Sequence, residues 1–112
     1  MRVVVSGPCA SGKTTLVAGL TARGIEAYNV AQEHSGVPTL WRRKNPDVLV
    51  LLDATLPVIR TRRNVPWGEE RLTAQRLRLR DARQNADLYI DTDPLTREEV
   101  VERVLEHIKE RH

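Results

Sequence analysis

The stretch Gly7-Pro8-Cys9-Ala10-Ser11-Gly12-Lys13-Thr14 satisfies the pattern G-x-x-x-x-G-K-[ST] at every fixed position. Its two glycines let the backbone curl tightly, so that main-chain N–H groups can point inward at an anion. Lys13 adds a positive charge for the β- and γ-phosphates of a nucleotide, and the Thr14 hydroxyl can bind Mg²⁺. We call this stretch the glycine-rich loop (residues 7–14), and it predicts a site for a nucleoside triphosphate and Mg²⁺. The residues predicted to contact the nucleotide are Gly7, Pro8, Cys9, Ala10, Ser11, Gly12, Lys13, Thr14 and Thr15.

The residues on either side of the glycine-rich loop provide the setting that this chemistry requires. Residues 2–6 are rich in valine and predict a buried strand. Residues 13–23 carry apolar side chains at helical spacing, and Gly24 then supplies a stop signal. A strand that leads directly into the loop and a helix that leaves it form the arrangement in which this pattern binds phosphate.

The rest of the chain continues the alternation of strand and helix. Strands are predicted over 2–6, 26–30, 47–53 and 87–91, and helices over 13–23, 37–44, 55–62, 69–85 and from a capping box at 96–99. Such alternation predicts an α/β fold, a compact four-stranded parallel sheet with helices on both faces.

Length and composition limit the class of protein. The chain has 112 residues, which is the size of one domain, so we expect a single domain over residues 1–112. Its only cysteine, Cys9, excludes an intramolecular disulfide. The longest apolar run, residues 48–52, is far shorter than the ~18 residues of a membrane helix. These features predict a cytoplasmic protein without a membrane segment.

The charge balance is mildly basic. There are 18 lysines and arginines against 15 acidic residues, a formal net charge of +3. This excess suits ligands that carry phosphate. Because acidic residues are interspersed among the basic ones, the pattern argues against a nucleic-acid-binding surface.

The chain resembles the P-loop NTPases, and within them it is most similar to the small kinases related to nucleotide and shikimate kinases. The glycine-rich loop carries most of the resemblance. Residues 51–55, followed by the arginines at 60, 62 and 63, and residues 86–92 before a carboxy-terminal helix match more loosely. The resemblance implies Mg²⁺-dependent transfer of a phosphoryl group from ATP to a small molecule or nucleotide.

The chain departs from these kinases in the number of strands and in the lid. Such kinases usually have five core strands, whereas only four are predicted here, and the only lid material is residues 60–68. Two strand orders are compatible with four strands. If residues 48–53 form the metal-site strand, the order is 2-3-1-4; if they lead to the lid, it is 2-1-3-4. The arginine-rich segment that follows residues 48–53 favours the order 2-1-3-4.

Three residues outside the loop are candidates for the chemistry, and a fourth is an alternative to one of them. Asp53 ends an apolar strand, where P-loop proteins keep a Mg²⁺ carboxylate; a cap for the next helix is the alternative. Glu33 follows the second strand and is the candidate base, with His34 beside it as a second possibility, because ligands gather beyond the carboxyl ends of parallel strands. Arg62 lies where lid arginines contact the transferring phosphate in the resembling kinases.

The sequence leaves the function open between classes. Phosphoryl transfer is the first interpretation, and a nucleotide-binding module or switch that hydrolyses its triphosphate slowly is the second, because the short lid shields little. A basic partner-binding protein whose loop holds an anion is the third. The phosphoryl acceptor, the preference for adenine or guanine, and the oligomeric state are not encoded in any motif.

Overall fold

The protein is an α/β domain, described over residues 1–111 by a computed structural model, with a four-stranded parallel sheet of order β2-β1-β3-β4. This order confirms 2-1-3-4. The strands are β1 (Arg2–Ser6), β2 (Glu26–Asn29), β3 (Val48–Asp53) and β4 (Leu88–Asp91). The α-helices are α1 (Lys13–Ala22), α2 (Leu56–Arg62), α3 (Glu69–Arg78), α4 (Arg80–Asn85) and α5 (Arg97–Arg111), and 3₁₀ helices span Gln32–His34 and Leu40–Lys44.

The core lies on both faces of the two central strands. Val3 and Val5 of β1 pack, with their neighbours on β3, against α1 and α5. Val4 points to the opposite face, where it meets Trp41 and Leu79. Side chains alternate across a strand, so a strand covered on both faces must be apolar at every position. This is why the valine run of β1 lies at the centre of the sheet.

The carboxy-terminal helix begins with the predicted capping box. The Thr96 backbone N–H donates to the Glu99 carboxylate at 2.9 Å, and the Glu99 N–H donates to the Thr96 hydroxyl at 3.1 Å. These two bonds satisfy N–H groups that have no partner within a helix. The backbone N–H and then the hydroxyl of Thr96 lower the pKa of Glu99.

Two predicted helices differ from those observed. The helix predicted over 69–85 breaks at Leu79 because its halves rest on different surfaces: Leu72 packs beside α2, whereas Ala82 packs on the sheet. The helix predicted over 37–44 is a 3₁₀ helix that begins only at Leu40. The Gln32 side chain holds this segment in place by bonding the Val37 carbonyl and the Trp41 N–H.

Over residues 1–111, no helix combines the length and the apolar character needed to cross a membrane.

Removing the capping box should measurably lower the stability of the protein. Thr96→Ala should lower the free energy of unfolding by about 1 kcal/mol, because the Glu99 N–H loses its acceptor. Thr73→Ala, an exposed position inside α3, is the matched control and should cause no loss. Urea denaturation measures both variants, and equal stabilities would contradict a role for the box.

The lowered pKa of Glu99 adds a pH dependence to this test. Glu99→Gln should be less stable than the wild type above the ordinary pKa of 4.5, where the carboxylate is charged in both folded and unfolded chains. The difference should close as the pH falls through the lowered pKa of the folded state.

Candidate functional site

The glycine-rich loop is packed so closely that a side chain at one of its glycines would clash with its neighbours. Gly7 has a φ of 154°, and a Cβ there would lie 2.6 Å from the Leu52 carbonyl oxygen and 2.8 Å from the Ser11 hydroxyl. Gly12, the N-cap of α1, has a φ of 103° but open space around it. Ala10 also has a positive φ, 59°, which is costly for a residue with a Cβ. The loop is therefore a strained turn held against the end of β3.

Lys13 folds back onto the loop as a buried cation. Its residue is 8% exposed, and Nζ donates to the carbonyl oxygens of Gly7 and Pro8 at 2.7 and 3.1 Å. Nζ also forms an ion pair with the carboxylate of Glu33, which is 3% exposed on the 3₁₀ helix that follows β2. Each charge is thus removed from water only because the other compensates it.

Glu33 retains an unused acceptor beside that ion pair. Its Oε2 accepts the bond from Lys13, whereas Oε1 is buried and has no hydrogen-bond partner among residues 1–111. A buried carboxylate oxygen without a donor is costly, so this atom marks a place where a cation or a donor can be accommodated.

These groups line one wall of a cavity of about 610 Å³. The loop and the first turn of α1 form its floor, and Asn29, Glu33 and His34 form the side next to β2. The opposite side is polar and basic with two apolar residues: Arg62, Arg63, Thr92, Leu95, Thr96, Arg97 and Val100. The cavity is large enough for a drug-sized ligand.

Arg62, predicted to contact phosphate, lies on this cavity wall. Its Nη1 donates to the Thr92 hydroxyl and its Nη2 to the Thr92 carbonyl, both at 2.9 Å. Nη1 also approaches the Ala10 carbonyl at 3.3 Å. Arg62 therefore joins the loop to the segment after β4. Arg60, which precedes it on α2, bonds the Trp67 carbonyl at 3.2 Å.

The structure does not bring the Asp53 carboxylate together with Thr14 in the cavity. Oδ1 of Asp53 accepts bonds from Arg76 and from the Ala54 N–H, and Oδ2 accepts the Tyr89 hydroxyl at 2.7 Å. Burial, and then donation to Asp53, raise the pKa of Tyr89 to about 12. The role of Asp53 as a metal ligand stays a prediction, whereas Glu33 and His34 do line the cavity.

The far end of the segment predicted to form a lid, residues 60–68, packs away from the cavity. Trp67 lies against an apolar cluster that includes Leu56, Ile59 and Leu72, and it is not among the residues that line the cavity. Within this segment, the cavity is lined by the two arginines at 62 and 63.

Two side chains that support the loop were missed by the sequence reading. Gln75 is 1% exposed on α3, and its Oε1 accepts the Cys9 N–H at 2.9 Å. Asn29, at the end of β2, approaches the Thr14 hydroxyl at 3.4 Å. The only signal for Gln75 was a polar residue three positions after Leu72 on the buried stripe of α3.

No protein-family model matches the chain, and a search of curated proteins gives no match.

The packing around Gly7 predicts that alanine substitutions at Gly7 and at Gly36 will differ sharply in their effect on stability. Gly7→Ala should lower the free energy of unfolding by about 2–5 kcal/mol, because it combines a strained φ with a clash against the Leu52 carbonyl. A Cβ at Gly36 would have no described atom within 4 Å, so Gly36→Ala should change the free energy of unfolding by less than about 1 kcal/mol. Chemical denaturation compares the two, and equal effects would mean that the loop can relax around a side chain.

Proposed function

We propose that the protein binds a Mg²⁺–nucleoside triphosphate, with ATP as the first candidate, and transfers its γ-phosphoryl group to a small acceptor. The observation that carries the proposal is the buried Lys13–Glu33 ion pair at the start of α1. A buried lysine amine that is held by loop carbonyls and a carboxylate is a cation kept ready for an anion of higher charge. The glycine-rich loop around it supplies backbone N–H groups and the positive end of the α1 dipole.

In this proposal Lys13 exchanges one anion for another. In the free protein its partners are Glu33 and the carbonyls of Gly7 and Pro8. When a triphosphate enters the cavity, Nζ moves to the phosphate oxygens, which compensate its charge more fully than one carboxylate does. Glu33, released from Lys13, is then the group that can take a proton from the hydroxyl of an acceptor.

The described residues fit Mg²⁺ at the same place. Thr14, whose hydroxyl is the predicted Mg²⁺ ligand, lines the cavity, and the buried Glu33 Oε1 has no donor among residues 1–111. Oxygen atoms of this kind are what Mg²⁺ prefers, together with phosphate oxygens and water. Bound Mg²⁺ supplies neutralisation of the charge on the phosphates. Asp53 is the weaker carboxylate candidate, because Arg76 and Tyr89 already occupy its oxygens.

The basic wall of the cavity suits the rest of the nucleotide. Arg62, Arg63 and Arg97 present guanidinium groups there, and Leu95 and Val100 add apolar surface. Guanidinium planes can stack on a base or pair with phosphate, and apolar side chains can cover the face of the ring.

A second function is favoured by the position of Trp67. A kinase must keep water from the γ-phosphate, yet residues 64–68 pack on α2 and α3. Without closure of this segment, the same site would bind a triphosphate and hydrolyse it slowly to water. That is the behaviour of a nucleotide-binding module or switch.

The ion pair predicts how single and double variants differ. Lys13→Ala leaves a buried carboxylate without a partner, so it should lower both stability, by about 3–5 kcal/mol, and affinity for Mg²⁺–ATP. Adding Glu33→Gln removes the unpaired charge and should restore most of the stability but none of the affinity. Urea denaturation and titration calorimetry with ATP and GTP measure the two quantities. If the double variant bound triphosphate as tightly as the wild type, the nucleotide proposal would fail.

Trp67 fluorescence decides between transfer and slow hydrolysis. If residues 60–68 close over the nucleotide, Mg²⁺–triphosphate should change the emission saturably, whereas diphosphate should not. The change should be absent in Trp67→Phe, which leaves the buried Trp41 in place as the control fluorophore. Tight binding with no Trp67 signal would favour the slow hydrolysing module.

A further inference from the structure

Cys9, Glu33 and His34 bring three different metal-binding atoms to one edge of the cavity. The Cys9 thiol lies 3.1 Å from Nε2 of His34, and this nitrogen lies 3.9 Å from Oε2 of Glu33. One ligand atom from each residue falls within 4.8 Å of the others. Cys9 is provided by the glycine-rich loop and the other two residues by the 3₁₀ helix after β2, so the cluster joins two separate segments of chain.

The buried Glu33 carboxylate has acceptor capacity left for a cation. Oε2 is bonded by Lys13, whereas the buried Oε1 accepts no hydrogen bond from any residue between 1 and 111. Gln75 holds Cys9 in position: its Oε1 accepts a hydrogen bond from the Cys9 N–H, and its Nε2 lies 3.5 Å from the Cys9 thiol. The His34 side chain is 56% exposed, so an ion can reach the cluster from solvent.

We propose that Cys9, His34 and Glu33 form a binding site for a divalent transition metal of the Zn²⁺ type. A tetrahedral Zn²⁺ ion places its ligand atoms about 3.3–3.6 Å apart. To admit it, the Cys9 sulfur and the His34 nitrogen would separate, and that nitrogen and the Glu33 oxygen would approach, each by about half an ångström. Thiolate and imidazole select Zn²⁺ over Mg²⁺, which prefers oxygen. Three protein ligands leave the fourth position for a water molecule on the side of the cavity.

Binding releases one proton from the site. The Cys9 thiol loses its proton to solvent as the sulfur–metal bond forms, while the neutral His34 ring binds through Nε2. The Glu33 carboxylate supplies one oxygen as the third ligand atom. This site does not rest on the proposed function, because no nucleotide takes part in it.

The test uses Zn²⁺ alone and Co²⁺ alone, each added to the reduced full chain without nucleotide. Competition with a chromophoric chelator should give one Zn²⁺ per chain, and a tenfold excess of Mg²⁺ should not displace it. Co²⁺ should produce an absorption band from thiolate-to-metal charge transfer. Zn²⁺ should also protect Cys9 from alkylation.

Variants assign the metal to these residues. Cys9→Ser should abolish the Co²⁺ thiolate band, and both Cys9→Ser and His34→Gln should weaken Zn²⁺ binding by about 100-fold or more. Glu98→Gln, an exposed acid on α5, is the control and should change nothing. The proposal would be overturned by Zn²⁺ affinity that survives both substitutions, or by a Co²⁺ spectrum without the thiolate band. Thermal melts of the variants verify that each is folded.

Discussion

Lys13 and Glu33 can be buried at the foot of the cavity only because each neutralises the other, and the rest of the site is arranged around that pair. Burying an isolated charge costs several kcal/mol of desolvation free energy. Removing either partner therefore destabilises the protein, because the remaining charge is buried without compensation. The pair also joins the first residue of α1 to the segment that follows β2. Strand order is part of the same arrangement, because β2 lies beside β1 and so delivers Glu33 next to the loop.

The loop itself is held in place by three elements that are distant in sequence. Gly7 lies so close to the Leu52 carbonyl of β3 that a Cβ would clash with it. Gln75 of α3 accepts a hydrogen bond from the Cys9 N–H. Arg62 of α2 donates both to the Ala10 carbonyl and to the Thr92 carbonyl just after β4. A loop braced in this way is already shaped before any ligand arrives. Under the proposed function, the principal change on binding is therefore the exchange of partners by one lysine side chain, and little binding energy goes to ordering the backbone.

Local patterns were enough to predict most of the fold. The valine run of β1, the apolar β3 and the capping box at Thr96 are short-range signals, and all three are confirmed along with the strand order. The break at Leu79 could not be predicted, because it depends on which surface lies under each half of the helix. The site likewise combines a feature that a local pattern predicts with one that only the tertiary fold creates. The loop is a contiguous motif, whereas the Lys13–Glu33 pair spans twenty residues and depends on the tertiary fold.

The structure of the protein bound to Mg²⁺ and a non-hydrolysable triphosphate would test the central claim most directly. We predict that Nζ of Lys13 leaves Glu33 and contacts the β- and γ-phosphate oxygens, while the glycine-rich loop keeps its backbone conformation. Glu33 should then face the γ-phosphate. A triphosphate bound elsewhere, with the Lys13–Glu33 ion pair intact, would contradict the account.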